Sequence, residues 1–163
     1  MDQLFILLVI LCALGSGAIG GVFFAFSNFV MPALARIAPA EGIRAMQAIN
    51  VTVVNRLFLG IFMGTGALSL VVIVDALLRW DGLASLCAVL AGATYVLGSI
   101  VVTMRGNVPL NNALMRVTQA DALGEATWRS YLTDWTRWNT VRTVACFVAM
   151  VLFIVALLLP QAS

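Results

Sequence analysis

Residues 128–160, WRSYLTDWTRWNTVRTVACFVAMVLFIVALLLP, join a row of aromatic side chains to an apolar run that is long enough to cross a membrane. The large and polar residues of the first half are spaced three, four, three and four positions apart, so a helix would align them in one stripe. This stripe consists of Trp128, Tyr131, Trp135, Trp138 and Arg142. Such a stripe on a membrane helix indicates either an interface anchor or a polar site between helices.

Four charge-free stretches account for most of the chain, and each is long enough for the roughly 17 to 25 residues of a spanning helix. They cover residues 3–35, 57–74, 82–104 and 143–163. Apolar residues make up 63% of the chain and charged residues 10%, with a mean hydropathy of +1.07. The N-terminal run lacks a basic segment before it and is too long for a cleaved signal, so we expect it to be retained as helix one. The sequence therefore predicts an integral membrane protein with one domain over residues 1–163.

Arginine is distributed unevenly between the predicted connections. The connections 36–56 and 105–142 hold eight arginines, whereas the connection between the second and third spans holds only Arg79. Because basic residues concentrate on the cytoplasmic side, we expect the two long connections to face the cytoplasm. The protein would then span the inner membrane of a bacterium with both termini on the outer side, where Trp80 would anchor the interface.

The predicted fold class is an all-α membrane protein. Its four transmembrane helices form an up-and-down bundle, in which helices two and four extend on the cytoplasmic side and a short connecting helix packs on that end. Helix two is expected to start at Pro39 and to run without a break into its span, since 40–58 contains no helix breaker.

The connection before the last helix holds several turn signals. We expect helix three to stop around Arg105, a turn at residues 107–109, and a short helix over 110–117. Thr118 with the following residues resembles a capping box and would start a last helix that reaches Leu159.

Several classes of chemistry lack the residues that they need. The chain has no histidine and no lysine, so it offers no histidine ligand for haem, copper or a di-iron centre and no lysine for a Schiff base. Cys12, Cys87 and Cys146 lie singly in three spans and are expected to be small buried residues. No carboxylate lies in the middle of a span, which argues against an ion-driven pump. We expect no metal, no cofactor and no nucleic-acid partner.

Helix one contains the glycine-rich segment GSGAIGG, residues 15–21. Small residues four apart allow a neighbouring helix to approach closely, and we favour this packing role over a ligand cleft. The same face offers a contact surface for a homo-oligomer.

Polar side chains from four segments concentrate at the predicted cytoplasmic end and would converge on a pocket beneath the short connecting helix. Phe23, Phe26, Trp135 and Trp138 are the expected walls of this pocket. The polar candidates are Gln47, Asn50, Asn55, Arg56, Asn107, Asn111, Asn139 and Arg142.

An interface role competes with this pocket for every aromatic and basic member. For Trp128 and Tyr131 we favour the interface, whereas for Trp135, Trp138, Asn139 and Arg142 both roles stay open. Arg56 and Arg142 either point inward together or extend outward to headgroups.

Four pieces of the chain, in this order, resemble a known family. They are GVFFAFSNFVMPALARI at 21–37, EGIRAMQAIN at 41–50, NVPLNNAL at 107–114 and WRSYLTDWTRWNTVRT at 128–143. They are similar to the bacterial members of the anthrone oxygenase-like family of small four-helix membrane proteins. The family pattern includes the positions Gln47, Asn50, Asn107, Asn111, Trp135, Asn139 and Arg142. The family's named members oxidise anthrones to anthraquinones with molecular oxygen and without metal or flavin.

The resemblance implies a cofactor-independent oxygenase that acts on a hydrophobic aromatic or phenolic substrate. Such an enzyme must hold a flat ring, stabilise a phenolate or enolate and exclude water. Asn107, Asn111 and Asn139 are the expected hydrogen-bond donors to the oxyanion, and Arg142 or Arg56 would stabilise its charge and lower the pKa of the substrate hydroxyl. No side chain is an obvious general base, so water or the substrate's own acidity has to serve.

A second function fits the residues equally well. A non-catalytic membrane module would use the same pocket to bind a lipid, a quinone or a hydrophobic metabolite, or would stabilise a partner protein. A channel or transporter is less favoured, because four helices leave little room for a lumen in a monomer.

Overall fold

The protein is a helical bundle with four helices that are long and apolar enough to span a membrane. The computed structural model describes residues 3–118 and 122–159, in which all regular structure is helical. The helices are α1 (Gln3–Leu34), α2 (Pro39–Thr52), α3 (Arg56–Leu78), α4 (Gly82–Met115) and α5 (Ala122–Leu158). Helices α1, α3, α4 and α5 are the candidate spans. The predicted all-α membrane bundle is confirmed.

The four spanning helices pack as a square. α1 contacts α3 and α5, and α4 contacts the same two helices from the opposite corner. Successive spans run in opposite directions, which is the up-and-down arrangement. Residues 79–81 join α3 to α4 at the short-connection end, whereas α2 and the segment after Met115 lie at the long-connection end.

Small residues allow the bundle to close tightly. The three cysteines are buried, as predicted, together with Ala88, Ala91, Ala149 and Ala156 along the centre of the bundle. Phe62, Tyr95 and Phe153 fill the space between them, and this apolar cluster involves all four spans. Because lipid tails are as apolar as these side chains, close van der Waals packing stabilises the contacts between the helices.

The glycine-rich segment of α1 serves this internal packing. A Cβ atom on Gly15 would collide with Thr65 of α3, one on Gly17 would lie 2.8 Å from the Met150 sulfur, and one on Gly20 would lie 3.0 Å from Cys146. Gly21 faces open space. The predicted packing role therefore uses most of the face that the sequence also offered for a homo-oligomer.

Helix two of the prediction is broken into α2 and α3, so the expectation of one uninterrupted helix was wrong. Residues 53–55, which we call the elbow, separate the two helices. Asn55 has extended backbone angles (φ −119°, ψ 164°), and its Oδ1 accepts hydrogen bonds from the amides of Leu57 and Phe58. The residues before it are β-branched and favour a helix only weakly, so the asparagine cap decides where α3 begins.

The turn expected at residues 107–109 is absent, because α4 continues as one helix to Met115. Two π-helical segments, Val96–Val101 and Thr103–Asn107, precede Pro109. Wider turns of this kind change the hydrogen-bond register, which lets a helix pass a proline that has no amide to donate. The predicted short helix over 110–117 is therefore the end of α4, and the separate short helix of the fold is α2. The last helix ends at Leu158, close to the predicted Leu159. The capping box predicted after Thr118 extends into 119–121, which lie outside the described residues.

We expect Asn55→Ala to lower the free energy of unfolding by about 1 kcal/mol, because two amides in the first turn of α3 lose their acceptor. Asn55→Asp keeps a side-chain acceptor and should retain most of the stability. Reversible unfolding in mixed detergent micelles measures both variants. An equal loss for both would show that the cap does not define the elbow.

Candidate active site

The buried face of α5 differs from the predicted stripe at one position. Trp128, Tyr131, Trp135, Asn139 and Arg142 are each 5% exposed or less, whereas Trp138 is 43% exposed. A helix turns by about 100° per residue, so Asn139, four positions after Trp135, points along the stripe. Trp138, three positions after Trp135, points to one side of it. Trp138 does not line the pocket that it was expected to wall; it packs over Gly106, where a Cβ would lie 2.7 Å from the indole.

The aromatic residues of this face form a stacked column. Ring centroids are 5.7 Å apart between Trp128 and Tyr131 and 5.9 Å apart between Tyr131 and Trp135, and Phe26 of α1 contacts Trp135 at 5.7 Å. Helix α2 covers the column with Ile43 and Met46. The interface role favoured for Trp128 and Tyr131 is therefore wrong, because the elbow lets α2 fold over both side chains.

Asn111 of α4 links the column to the other helices. Its Oδ1 accepts hydrogen bonds from the Trp135 indole (2.7 Å) and the Tyr131 hydroxyl (2.9 Å). The indole only donates, so it fixes which end of the amide faces α5. Asn50 of α2 donates to the same hydroxyl at 3.5 Å. Within residues 3–118 and 122–159, no acceptor binds Asn111 Nδ2, and the residue lines the space between the helices.

Gln47 and Asn107 are engaged with backbone carbonyls. Gln47 donates to the carbonyls of Leu114 and Val117 and thereby ties α2 to the end of α4. Asn107 donates to the Trp135 carbonyl at 3.1 Å. Neither side chain lines the cavity described below, and both stabilise the arrangement of the helices around it.

Arg142 is buried where α1, α4 and α5 meet. Its guanidinium donates to Thr103 Oγ1 at 3.0 Å and to Asn139 Oδ1 at 2.6 Å, and it lies 4.0 Å from the ring centroid of Phe23. A cation over an aromatic face gains electrostatic stabilisation. Arg142 Nε is buried without a hydrogen-bond partner in the described structure. Of the two orientations left open for Arg142, the structure has the inward one.

Asn139 holds the Arg142 guanidinium in place. Its amide nitrogen donates to the Phe23 carbonyl (2.6 Å) and to Ser27 Oγ (2.7 Å), so both of its donors are used. Asn139 therefore positions Arg142 and has no donor left for a ligand. Asn107 uses one donor on the Trp135 carbonyl and does not line the cavity, so among the three asparagines expected to bind an oxyanion only Asn111 lines it with an unused amide group.

These side chains border a cavity of about 190 Å³ at the long-connection end of the bundle. Its polar members are Asn50, Thr103, Asn111, Asn139 and Arg142. The apolar members include Phe23, Phe26, Met46, Ile49, Phe58, Phe62 and Trp135. The structure therefore brings together seven of the twelve predicted site residues around one space: Phe23, Phe26, Asn50, Asn111, Trp135, Asn139 and Arg142.

Two further predicted members lie outside this cavity, in addition to Trp138, Gln47 and Asn107 treated above. Asn55 is the helix cap at the elbow, and Arg56, the first residue of α3, is exposed. The inward pairing of Arg56 with Arg142 does not occur, because the cap turns the first residues of α3 outward.

The sequence analysis missed Thr103, Phe58 and Phe62. Thr103 donates to the Ser99 carbonyl (2.7 Å) and accepts from Arg142, so a helix-bound hydroxyl serves as a neutral partner of the cation. A single threonine within a charge-free span does not indicate a binding site by itself. Its position four residues after Ser99 is the one pattern that indicates a polar face on α4.

Within residues 3–118 and 122–159, no carboxylate forms an ion pair with the buried guanidinium. The described ion pairs, Arg79 with Asp75 and Arg129 with Glu125, lie elsewhere, and no acidic residue lines the cavity. Burying a cation without an anion is costly, even when neutral acceptors and aromatic faces surround it. The cavity is thus electrostatically suited to an anionic group.

Residues 53–152, about three fifths of the chain, match the family described as anthrone oxygenase. This match includes α3, α4 and most of α5, and hence Thr103, Asn111, Trp135, Asn139 and Arg142. No curated protein and no solved structure matches the chain significantly.

We expect Asn139→Leu to lower the free energy of unfolding by about 2–4 kcal/mol, because it removes the hydrogen bond to the Phe23 carbonyl and takes an acceptor from a buried cation. Adding Arg142→Met removes the cation, so the double variant should be more stable than Asn139→Leu alone. Asn112→Leu, at an exposed position of α4, is the matched control and should change stability little. Chemical unfolding in micelles is measured for wild type, Asn139→Leu, Arg142→Met, the double variant and the control. A double variant as unstable as the sum of its parts would show that the two side chains are not coupled.

Proposed function

The chain belongs to the anthrone oxygenase family, and from that premise we propose that it is a cofactor-independent oxygenase of a hydrophobic phenolic or polyaromatic substrate. The observation that supports this most directly is the buried Arg142, which has neutral partners only and borders an aromatic cavity. The substrate anion would be its missing counter-charge.

The reaction needs no protein-bound redox group if the substrate itself reduces oxygen. An anthrone loses a proton to give an enolate, which passes one electron to O₂; the resulting radicals combine to form a C–O bond opposite the carbonyl. Protonation gives a hydroperoxide, which loses water and leaves the second carbonyl. One O₂ is consumed per substrate, with one oxygen atom in the quinone and the other in water.

Each part of the site has a task in this sequence. Arg142 stabilises the enolate oxygen and so favours the initial loss of a proton, and the Asn111 amide supplies a second donor. Phe26, Trp135 and Phe62 hold the ring and keep water away. Positive charge fixed in a dry environment interacts strongly with the developing anion, because little solvent screens it.

The first proton goes to water or to bulk base. The nearest carboxylate in sequence, Asp134, is exposed on the outer side of α5, away from the cavity. Anthrones are acidic carbon acids once their enolate is stabilised. A cation beside the enolate oxygen therefore lowers the pKa of the substrate, so that a weaker base can remove the proton.

A second candidate function is non-catalytic binding of an anionic amphiphile by the same unpaired guanidinium. This function is favoured by the lining of the cavity, which contains no carboxylate or histidine that could act as a general base. The two functions differ in turnover and agree in binding. A protein that binds hydroxyanthraquinones but leaves the rate of anthrone oxidation at its spontaneous value has the second function.

We expect the purified protein in lipid nanodiscs to oxidise anthrone faster than the spontaneous reaction, with Arg142→Met lowering the enzymatic rate by about 10²-fold or more. Oxygen uptake and anthraquinone absorbance measure the rate, and ¹⁸O₂ should label one oxygen of the product.

Arg137→Met is the matched control for this experiment, because Arg137 is an exposed arginine on the same helix. It should retain the wild-type rate. Equal rates for wild type, both variants and empty nanodiscs would refute the oxygenase function.

The orientation in the membrane is a second proposal: the long-connection end faces the cytoplasm of a bacterial cell. Its support is the exposure of Arg36, Arg44, Arg105, Arg116, Arg129 and Arg137 at that end, against Arg79 at the other. All three native cysteines are buried, so single cysteines can be placed on this background.

We expect Trp80→Cys to react with a membrane-impermeant maleimide in intact cells and Ser130→Cys to react only after the membrane is opened. Both positions are exposed, so accessibility depends on the side of the membrane. The reverse pattern would invert the orientation.

A further inference from the structure

The cavity opens through apolar side chains. Among its lining residues, Val22, Val54, Leu59 and Val108 are exposed, and all four are aliphatic; we call them the mouth. The polar lining residues Asn139 and Arg142 are buried at the inner end. A ligand therefore passes hydrocarbon first and meets the charge last.

The part of the mouth formed by Val22 and Leu59 lies at the depth of the membrane, whereas Val54 and Val108 lie beyond Arg56 and Arg105 toward the long-connection end. Sixteen residues separate Arg142 from Leu158, the end of α5, which is about 24 Å of helix compared with a hydrocarbon core of about 30 Å. Arg142 lies 4.0 Å from the ring of Phe23, the neighbour of Val22 in sequence, so this part of the mouth is near the level of the guanidinium. Leu59 lies about one helical turn beyond the exposed Arg56, on the membrane side.

The cavity is small for a complete polyaromatic ligand. An apolar cavity of about 150 Å³ binds a single benzene ring, and typical ligand sites measure about 300–1,000 Å³. At about 190 Å³, this space takes the ionised ring and little more. The rest of a larger ligand has to extend through the mouth.

We propose that the site takes an amphipathic phenol from the bilayer, with the ionised ring against Arg142 and the apolar remainder lying across the mouth in the lipid. This inference rests on the proposed function for the identity of the ring, and adds the source of the ligand and the property that selects it. Ligands that partition into the membrane are selected, and a chain on the ring edge away from the hydroxyl is tolerated.

Binding kinetics test this without requiring turnover. The probe is tritiated 2-hydroxyanthraquinone, which is already oxidised, and the protein is the full chain in phosphatidylcholine nanodiscs; a scintillation proximity assay records association, with empty nanodiscs subtracted. We expect the double variant Val22→Phe/Leu59→Phe, which narrows the mouth, to lower the association rate at least tenfold. An octyl ether on the ring edge away from the hydroxyl should bind wild type as tightly as the parent probe.

The matched control is Leu14→Phe/Leu70→Phe, which adds the same rings to exposed positions of the same two helices away from the mouth. It should associate at the wild-type rate. Unchanged association in the mouth variant, or a tenfold loss of affinity for the octyl probe, would overturn the proposal. If Arg142→Met abolishes binding while the mouth variant binds normally, the anion site stands and the membrane route fails; if neither variant affects binding, both fail.

Discussion

The arrangement of the long-connection end depends on one buried cation. Arg142 is held by Asn139, Thr103 and the ring of Phe23, and none of these partners carries a negative charge. Because an unneutralised charge opposes folding, the surrounding contacts have to stabilise it. Asn139 of α5 does so while it donates to the Phe23 carbonyl and to Ser27 of α1, so the cation and the packing of α1 on α5 support each other.

The elbow connects this charge to the rest of the fold. Asn55 ends one helix and starts another, which frees α2 to cover the column of Trp128, Tyr131 and Trp135. The column in turn orients Asn111 through two hydrogen bonds, leaving its amide group toward the cavity. A helix running straight from Pro39 into the membrane would leave the column exposed and the cavity without a cover. Backbone geometry at the elbow and electrostatics at Arg142 thus contribute to a single site.

Hydropathy predicted four spans, and helical spacing predicted one stripe through Trp135, Trp138 and Arg142 while leaving open whether it faces inward. The structure buries Trp135 and Arg142 but places Asn139 instead of Trp138 between them. The break at Asn55 escaped prediction because an asparagine cap inside an apolar, β-branched segment looks like ordinary helix until its amide partners are known. Pro109 led to the opposite error: it predicted a turn, but the helix continues because π-helical turns before it accommodate the proline, which has no amide to donate. Which asparagines face the cavity depended on competing backbone carbonyls, such as that of Trp135 for Asn107, and sequence spacing carries no information about these.

The central claim is that the cavity recognises an anion through Arg142, and the most direct test compares a ligand that ionises with its methyl ether, which cannot. The equilibrium affinities of 2-hydroxyanthraquinone and its methyl ether should be measured for wild type and Arg142→Met at a pH where the free hydroxyl ionises. The account predicts that wild type prefers the hydroxyl form at least tenfold and that the variant shows no preference. Equal affinities of wild type for the two ligands would contradict it.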